Sequence, residues 1–129
     1  MASARLPWST IDNYLWDTRT ASIQRDGKNG PLKGYMTDVL ADEAVAFIER
    51  SKDEPFFVYL AFTAPHNPLQ APKTIYDRLS HIKDERTRVY YAMIESMDAA
   101  VGRVLAALDR AGVADNTIIV FTQARPRRS

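Results

Sequence analysis

Two hydrophobic periodicities alternate along this chain. Leu40, Ala44, Phe47 and Ile48 recur at helical spacing, and Thr37-Asp38 before them offers a hydroxyl or carboxylate cap with an acid at the positive end of the dipole. The spacing predicts a helix over about 38–52, closed off by Pro55. Phe56-Phe57-Val58-Tyr59-Leu60-Ala61-Phe62 then forms an uninterrupted apolar run of strand length, the pattern of a parallel, interior strand covered on both faces. Pro65, Pro68 and Pro72 follow within eight residues, which forbids a regular helix or a central strand and predicts a stiff loop.

A short helix is expected near 74–79 and a long one over about 84–111. In the latter, Tyr90, Met93, Ile94, Met97, Val101, Val104, Leu105 and Leu108 fall within a stripe roughly 120° wide, with Arg88, Glu95, Arg103 and Arg110 opposite. Gly112 is the expected left-handed C-cap, and the β-branched run Thr117-Ile118-Ile119-Val120-Phe121-Thr122 reads as a second buried strand. Strand, helices, strand is the order of a right-handed crossover in an α/β sheet. Before residue 37 the pattern is weak. Asn29-Gly30 is a type I′ pair, predicting a hairpin with arms near Ala21–Arg25 and Leu32–Tyr35.

Composition narrows the chemistry. The chain has 129 residues, 46% hydrophobic and 26% charged, which fits one soluble globular domain with a core that needs neither metal nor disulfide. It contains no cysteine, so thiolate zinc sites, Fe–S clusters and cysteine nucleophiles are excluded together. The longest apolar run falls far short of the ~20 residues of a membrane helix, and residues 1–10 lack a signal-peptide core. The formal net charge is +1, but Arg125, Arg127 and Arg128 supply three of the 17 Lys and Arg, leaving 14 against 16 acids, or −2, over residues 1–122. A nucleic-acid binder carries its basic face on its folded part, so nucleic acid is not an expected partner, and neither is a membrane.

His66 is the most informative single position. It lies in the proline-stiffened loop directly after a predicted buried strand, and open α/β sheets bind ligands at the carboxyl ends of their strands. An ordinary loop histidine bonded to backbone or water is the competing reading. His81 has no such setting and reads as a surface residue. Asp98, at the margin of the long helix's apolar stripe, is either a buried partner for a cation or a flank residue reaching water. Met93 and Met97 read as core filler, and Lys83-Asp84-Glu85-Arg86-Arg88 as a solvated helix start with an Asp84–Arg88 pair. There is no glycine-rich phosphate loop, no histidine pair at metal spacing and no GxSxG elbow.

Several segments carry a family resemblance: Gly34-Tyr35-Met36-Thr37-Asp38, Pro55 to Phe62, Ala64-Pro65-His66-Asn67-Pro68-Leu69-Gln70-Ala71-Pro72, Tyr91 to Ile94, Met97-Asp98 to Val101-Gly102, and Asp115-Asn116-Thr117. In this order and spacing, over about Tyr14 to Thr122, the chain resembles the type I sulfatases, in particular those like arylsulfatase B. The resemblance implies part of an alkaline-phosphatase-like α/β fold with parallel-type strands and flanking helices. It implies sulfate-ester hydrolysis by a formylglycine made from cysteine or serine beside a divalent cation, usually calcium, acting on a sulfated small molecule or glycan. His66 would be the histidine that reaches the substrate's sulfate, a role suited to imidazole, which gains and loses a proton near neutral pH. Family members are commonly secreted, periplasmic or lysosomal.

The chain also departs from the family pattern. The nucleophile motif, Cys or Ser followed by x-Pro-x-Arg, and the paired aspartates of the metal site are not in this sequence. Where the family continues its second strand with Ser or Thr and then Asp-Asn-Gly, the Asp and Asn being metal ligands, this chain has Gln123-Ala124-Arg125-Pro126. The expectation is a single partial domain over 1–129: an irregular or hairpin lead-in over 1–36, an α/β unit over 37–122 and an aberrant basic tail over 123–129. Two readings follow. One is a sulfatase fragment, inactive by itself and prone to self-association through exposed strand edges. The other is a non-catalytic binding or interaction module on the same scaffold.

Overall fold

The structure, a computed structural model, describes residues 22–31 and 34–123. It opens with an antiparallel hairpin of β1 (Ser22–Arg25) and β2 (Lys28–Pro31), in which Arg25 pairs with Lys28 and Ser22 with Pro31. That register puts the turn at Asp26-Gly27, not at Asn29-Gly30. Asp26 (φ 50°) and Gly27 (φ 78°) both take the positive φ that a type I′ turn requires. Asp-Gly is as good a I′ pair as Asn-Gly, so pairing on either side decides between them, and Asn29 and Gly30 become strand residues opposite Gln24 and Ile23.

Three helices follow: α1 (Met36–Ser51), α2 (Lys73–Arg78) and α3 (Glu85–Arg110). Each lies within two residues of its expected limits. α1 begins two residues earlier than anticipated, with Tyr35 in the cap position making no side-chain cap bond and Thr37 buried inside the first turn. At α3 the Asp84 carboxylate accepts the Thr87 N–H at 2.8 Å. That helix ends in a double bond pattern, Gly112 N–H to the Asp109 carbonyl and Val113 N–H to the Leu108 carbonyl, with Gly112 at φ 71° as expected.

α1 and α3 form the core of the unit. On α1 the buried seam is Thr37, Ala41, Ala44 and Ile48; the buried edge of α3 runs Val89, Met93, Ser96, Ala100 and Ala107, of which Val89 and Met93 pack on α2 and the loop before it while Ala107 packs on Ile48. Both seams step by four and three residues, the spacing of a helix pair that keeps one edge against its partner. Beyond Met93 the buried α3 positions are small, Ser96, Ala100 and Ala107, with Leu108 the exception. The α3 face is therefore rotated from the expected one. Tyr90 and Leu105 stand outward at 39% and 38% exposure, because bulk there would separate the helices. Arg103, expected on the far side, donates to Asp38 at 2.9 Å and lies 3.6 Å from Asp42, while Arg110 lies 3.5 Å from Glu49. Rising numbers on one helix thus meet rising numbers on the other, so α1 and α3 run in the same direction, as helices on one side of a parallel sheet do.

The two expected strands occupy their expected places without forming a ladder among the described residues. Over 56–62 burial alternates strictly: Phe56, Val58, Leu60 and Phe62 turn inward, while Phe57, Tyr59 and Ala61 turn out. Phe56 and Val58 pack on Ile48, Ala107 and Leu108 near the C-terminal ends of both helices, and Ala64 and Leu69 pack on Val89, Ala92 and Met93 near the start of α3. The segment therefore runs antiparallel to the helices, in the manner of a strand beneath its helix layer. Burial on both faces is not realised, and 118–121 is exposed throughout, with Ile118 at 92%. The apolar run records a two-sided sheet position, whereas the described residues cover only the helix side of 56–62.

Candidate functional site

Because segment 56–62 runs toward the beginning of α3, the loop after it arrives at the N-terminal end of that helix, the end where α/β units hold ligands. Two contacts fix the loop, and a third fixes the helix that follows it. Ala71 is fully buried in a cluster with Tyr76, Val89, Ala92 and Met93. The Tyr35 hydroxyl donates to the Gln70 carbonyl at 2.8 Å, tying the loop's end to the start of α1. Burial raises the Tyr35 phenol to about 12. Arg88 clamps α2 to α3, its guanidinium 3.8 Å over the Tyr76 ring and its Nε donating to the Tyr76 carbonyl at 2.7 Å. The expected Asp84–Arg88 pair gives way to this clamp, and Asp84 caps the helix instead. Its bonds from Thr87 hold the Asp84 carboxyl below the usual carboxylate range.

His66 is exposed at the crest of this loop, between the cis bonds Ala64–Pro65 and Asn67–Pro68. Its backbone N–H donates to the Thr63 carbonyl at 3.0 Å, closing a turn. Its Nδ1 lies 2.7 Å from the Asn67 carbonyl oxygen. A carbonyl oxygen only accepts, so Nδ1 carries the hydrogen and Nε2 is the ring nitrogen not engaged by this bond. A nitrogen so placed can take up a proton and, once protonated, donate to an anionic oxygen.

Beside the loop lies an open groove of about 410 Å³. Pro65, Asn67 and Leu69 form one wall, and Arg86, Tyr90 and Tyr91 of α3 form the other. None of these was singled out as a site residue from the sequence. The available signal was the Tyr90-Tyr91 pair, since two adjacent bulky aromatics cannot both face one helix seam. His81 is exposed, as expected, and so is Asp98, which settles that position as a flank residue reaching water.

The calcium and formylglycine that the resemblance implies have no assigned holders among the described residues. Among the described residues no three His, Cys, Asp or Glu side chains come together to hold a metal ion, and the sequence contains no cysteine. Ala124 and Arg125 lie outside the described residues.

Known proteins converge on one family. The model of the family described as Sulfatase matches residues 7–123. Uncharacterized sulfatase YdeN of Escherichia coli (strain K12) is 39% identical over 104 residues, which is 78% of this chain and 19% of that protein. Steryl-sulfatase of Mus musculus is 39% identical over 89 residues, 69% of this chain and 13% of its own length. The crystal structure of Ps i-CgsB superimposes with a TM-score of 0.71 at 34% identity, covering 75% of this chain and 22% of that one. The same protein has been solved in complex with k-i-k-neocarrahexaose, matching at a TM-score of 0.70 and 35% identity over 74% of this chain and 22% of that one. The chain thus spans about a fifth or less of the length of these proteins.

Proposed function

The chain belongs to the sulfatase family and carries part of its α/β fold, and from that premise we propose that it is the substrate-side unit of a sulfuric ester hydrolase. Its task is to present His66 to the sulfate group of a sulfated small molecule or glycan. The observation that carries this reading is the His66 geometry: an exposed imidazole on a loop tied down at Gln70, with its Nδ1 engaged by the Asn67 carbonyl. A protonated Nε2 can donate to a sulfate oxygen, or deliver its proton to the ester oxygen as the S–O bond breaks. A saccharide substrate is supported by the neighbouring fold solved with neocarrahexaose. The division into a lead-in over 1–36, an α/β unit over 37–122 and a basic tail over 123–129 belongs to the same proposal.

By itself the chain is proposed to be inactive, because it has no Cys-x-Pro-x-Arg or Ser-x-Pro-x-Arg segment to supply the nucleophile. Calcium is not expected to raise its melting temperature, and chelator is not expected to lower it. The test joins the chain to a polypeptide that supplies the nucleophile segment, its aspartates and Asp-Asn in place of Ala124-Arg125, with the formylglycine formed. There His66→Ala lowers kcat by about 10²-fold or more, the scale for a positioned acid or oxyanion donor, while His81→Ala leaves it unchanged. Full activity in His66→Ala would remove the role, and hydrolysis by the unassisted chain would remove the claim of inactivity.

A further inference from the structure

The groove beside His66 has a composition that the sulfate chemistry at His66 does not use. Tyr90 and Tyr91 are adjacent residues of α3 that both face solvent, at 39% and 49% exposure. Their rings stand 6.1 Å apart and tilted by 46°, which gives two differently angled apolar faces. Arg86 lies one helical turn before Tyr90 on the same wall. It differs from the other arginines of α3. Arg88 is bound to α2, Arg103 to Asp38 and Arg110 to Glu49, whereas Arg86 makes no ion pair or hydrogen bond among the described residues. An arginine lining the same groove as two aromatic side chains and Asn67 suits one kind of ligand: a ring with an apolar C–H face, hydroxyls at its rim and an anionic substituent. The volume, about 410 Å³, lies within the ~300–1,000 Å³ of small-molecule sites.

We infer that this groove is a subsite for a second sugar of the substrate, next to the one whose sulfate meets His66. Tyr90 and Tyr91 take its ring face, and Arg86 takes a sulfate group on it. The inference rests on the sulfatase reading proposed above and extends it: the preferred substrate is an oligosaccharide carrying sulfate on more than one unit. Pro65 and Asn67 flank His66 and line the groove at once, so the two binding positions share one loop.

The test is an NMR titration of the whole 129-residue chain with a sulfated hexasaccharide, its desulfated counterpart and inorganic sulfate. The sulfated saccharide is expected to shift the Tyr90 and Tyr91 ring signals together with His66, and to bind at least tenfold more tightly than the desulfated one. Tyr90→Ala and Tyr91→Ala each weaken it about tenfold, Tyr90→Phe keeps it, and Arg86→Gln abolishes the preference for sulfate. These side chains are on the surface, and an unchanged helical circular dichroism signal confirms that each variant is folded. Shifts at His66 that survive all the groove variants would overturn the subsite and leave the sulfatase reading standing. Shifts in the groove with none at His66 would keep a saccharide site and remove the role of His66. Inorganic sulfate reproducing the whole response, or no response to any probe, would overturn the subsite.

Discussion

The α1/α3 seam and the two segments 56–62 and 117–122 are both apolar, yet they end in opposite surroundings. Ala41, Ala44, Ala100 and Ala107 are almost without exposure, and Ile48, packed on Ala107 and Leu108, stands at 1%. Phe57 and Ile118, which carry more apolar surface, stand at 84% and 92%. A helix satisfies its backbone internally and needs one partner for one face, and that partner lies within the described residues. A strand needs neighbours at its edges and cover on its faces, and those needs reach beyond them. The difference teaches that the helix layer is self-sufficient in this chain, whereas the extended layer is written for a larger sheet.

The sharpest way to break that contrast is to damage each layer equally. Ile48→Ala is expected to cost about 2–5 kcal/mol, because it opens a cavity where α1, α3 and Phe56 meet. Ile118→Ala removes a similar side chain from solvent and is expected to change stability by less than about 0.5 kcal/mol. Thermal or urea unfolding of the two variants measures both. Equal losses would mean that 117–122 is packed as firmly as the seam. Next in size, Ala100→Leu is expected to cost about 1–3 kcal/mol by forcing the close helices apart, even though it adds apolar surface.

The open layer makes its own prediction. Unpaired apolar segments invite association through free N–H and C=O groups and exposed faces, so the chain is expected to self-associate as its concentration rises. Tyr59→Lys, on the outward face, is expected to shift light scattering toward monomer without lowering the stability of the helix layer. A monodisperse monomer with a sharp cooperative melt in the unaltered chain would favour the independent module over the fragment.

The smallest expected effect concerns Tyr35, which joins α1 to the loop. Its phenol is held near 12 against an ordinary value of 10, chiefly by burial. An unfolded chain loses this proton first, so the folded state binds more protons between pH 10 and 12 and its stability falls as pH rises through that window. Ultraviolet titration should show the Tyr35 phenol ionising about two units late, and Tyr35→Phe should remove that step together with its share of the alkaline destabilisation.

The sequence made element positions legible wherever a stop signal accompanied the periodicity. Pro55, the prolines of the 63–72 loop and Gly112 bound α1, the loop and α3 closely, and the prolines with the preceding apolar run are what single out His66 as a candidate. The facing of α3 was misread for a physical reason. Large residues such as Tyr90, Met97 and Leu105 dominate any count of hydrophobicity, but two helices in close contact select alanine and serine at the seam. The groove was missed by the same error, since Tyr90 was assigned to the core and Arg86 to a solvated helix start. The hairpin turn was misplaced because two I′-competent pairs stand three residues apart, and local propensity cannot choose between them.

Amide hydrogen exchange, followed residue by residue at concentrations low enough to suppress association, tests the central contrast most directly. The account predicts that amides of the seam, such as those of Ala44 and Ala100, are protected at least ~10²-fold more than those of 57–62 and 118–121, whose backbone makes no ladder among the described residues. Protection of 57–62 equal to that of the seam in the monomer would contradict it, because the extended layer would then be complete within this chain.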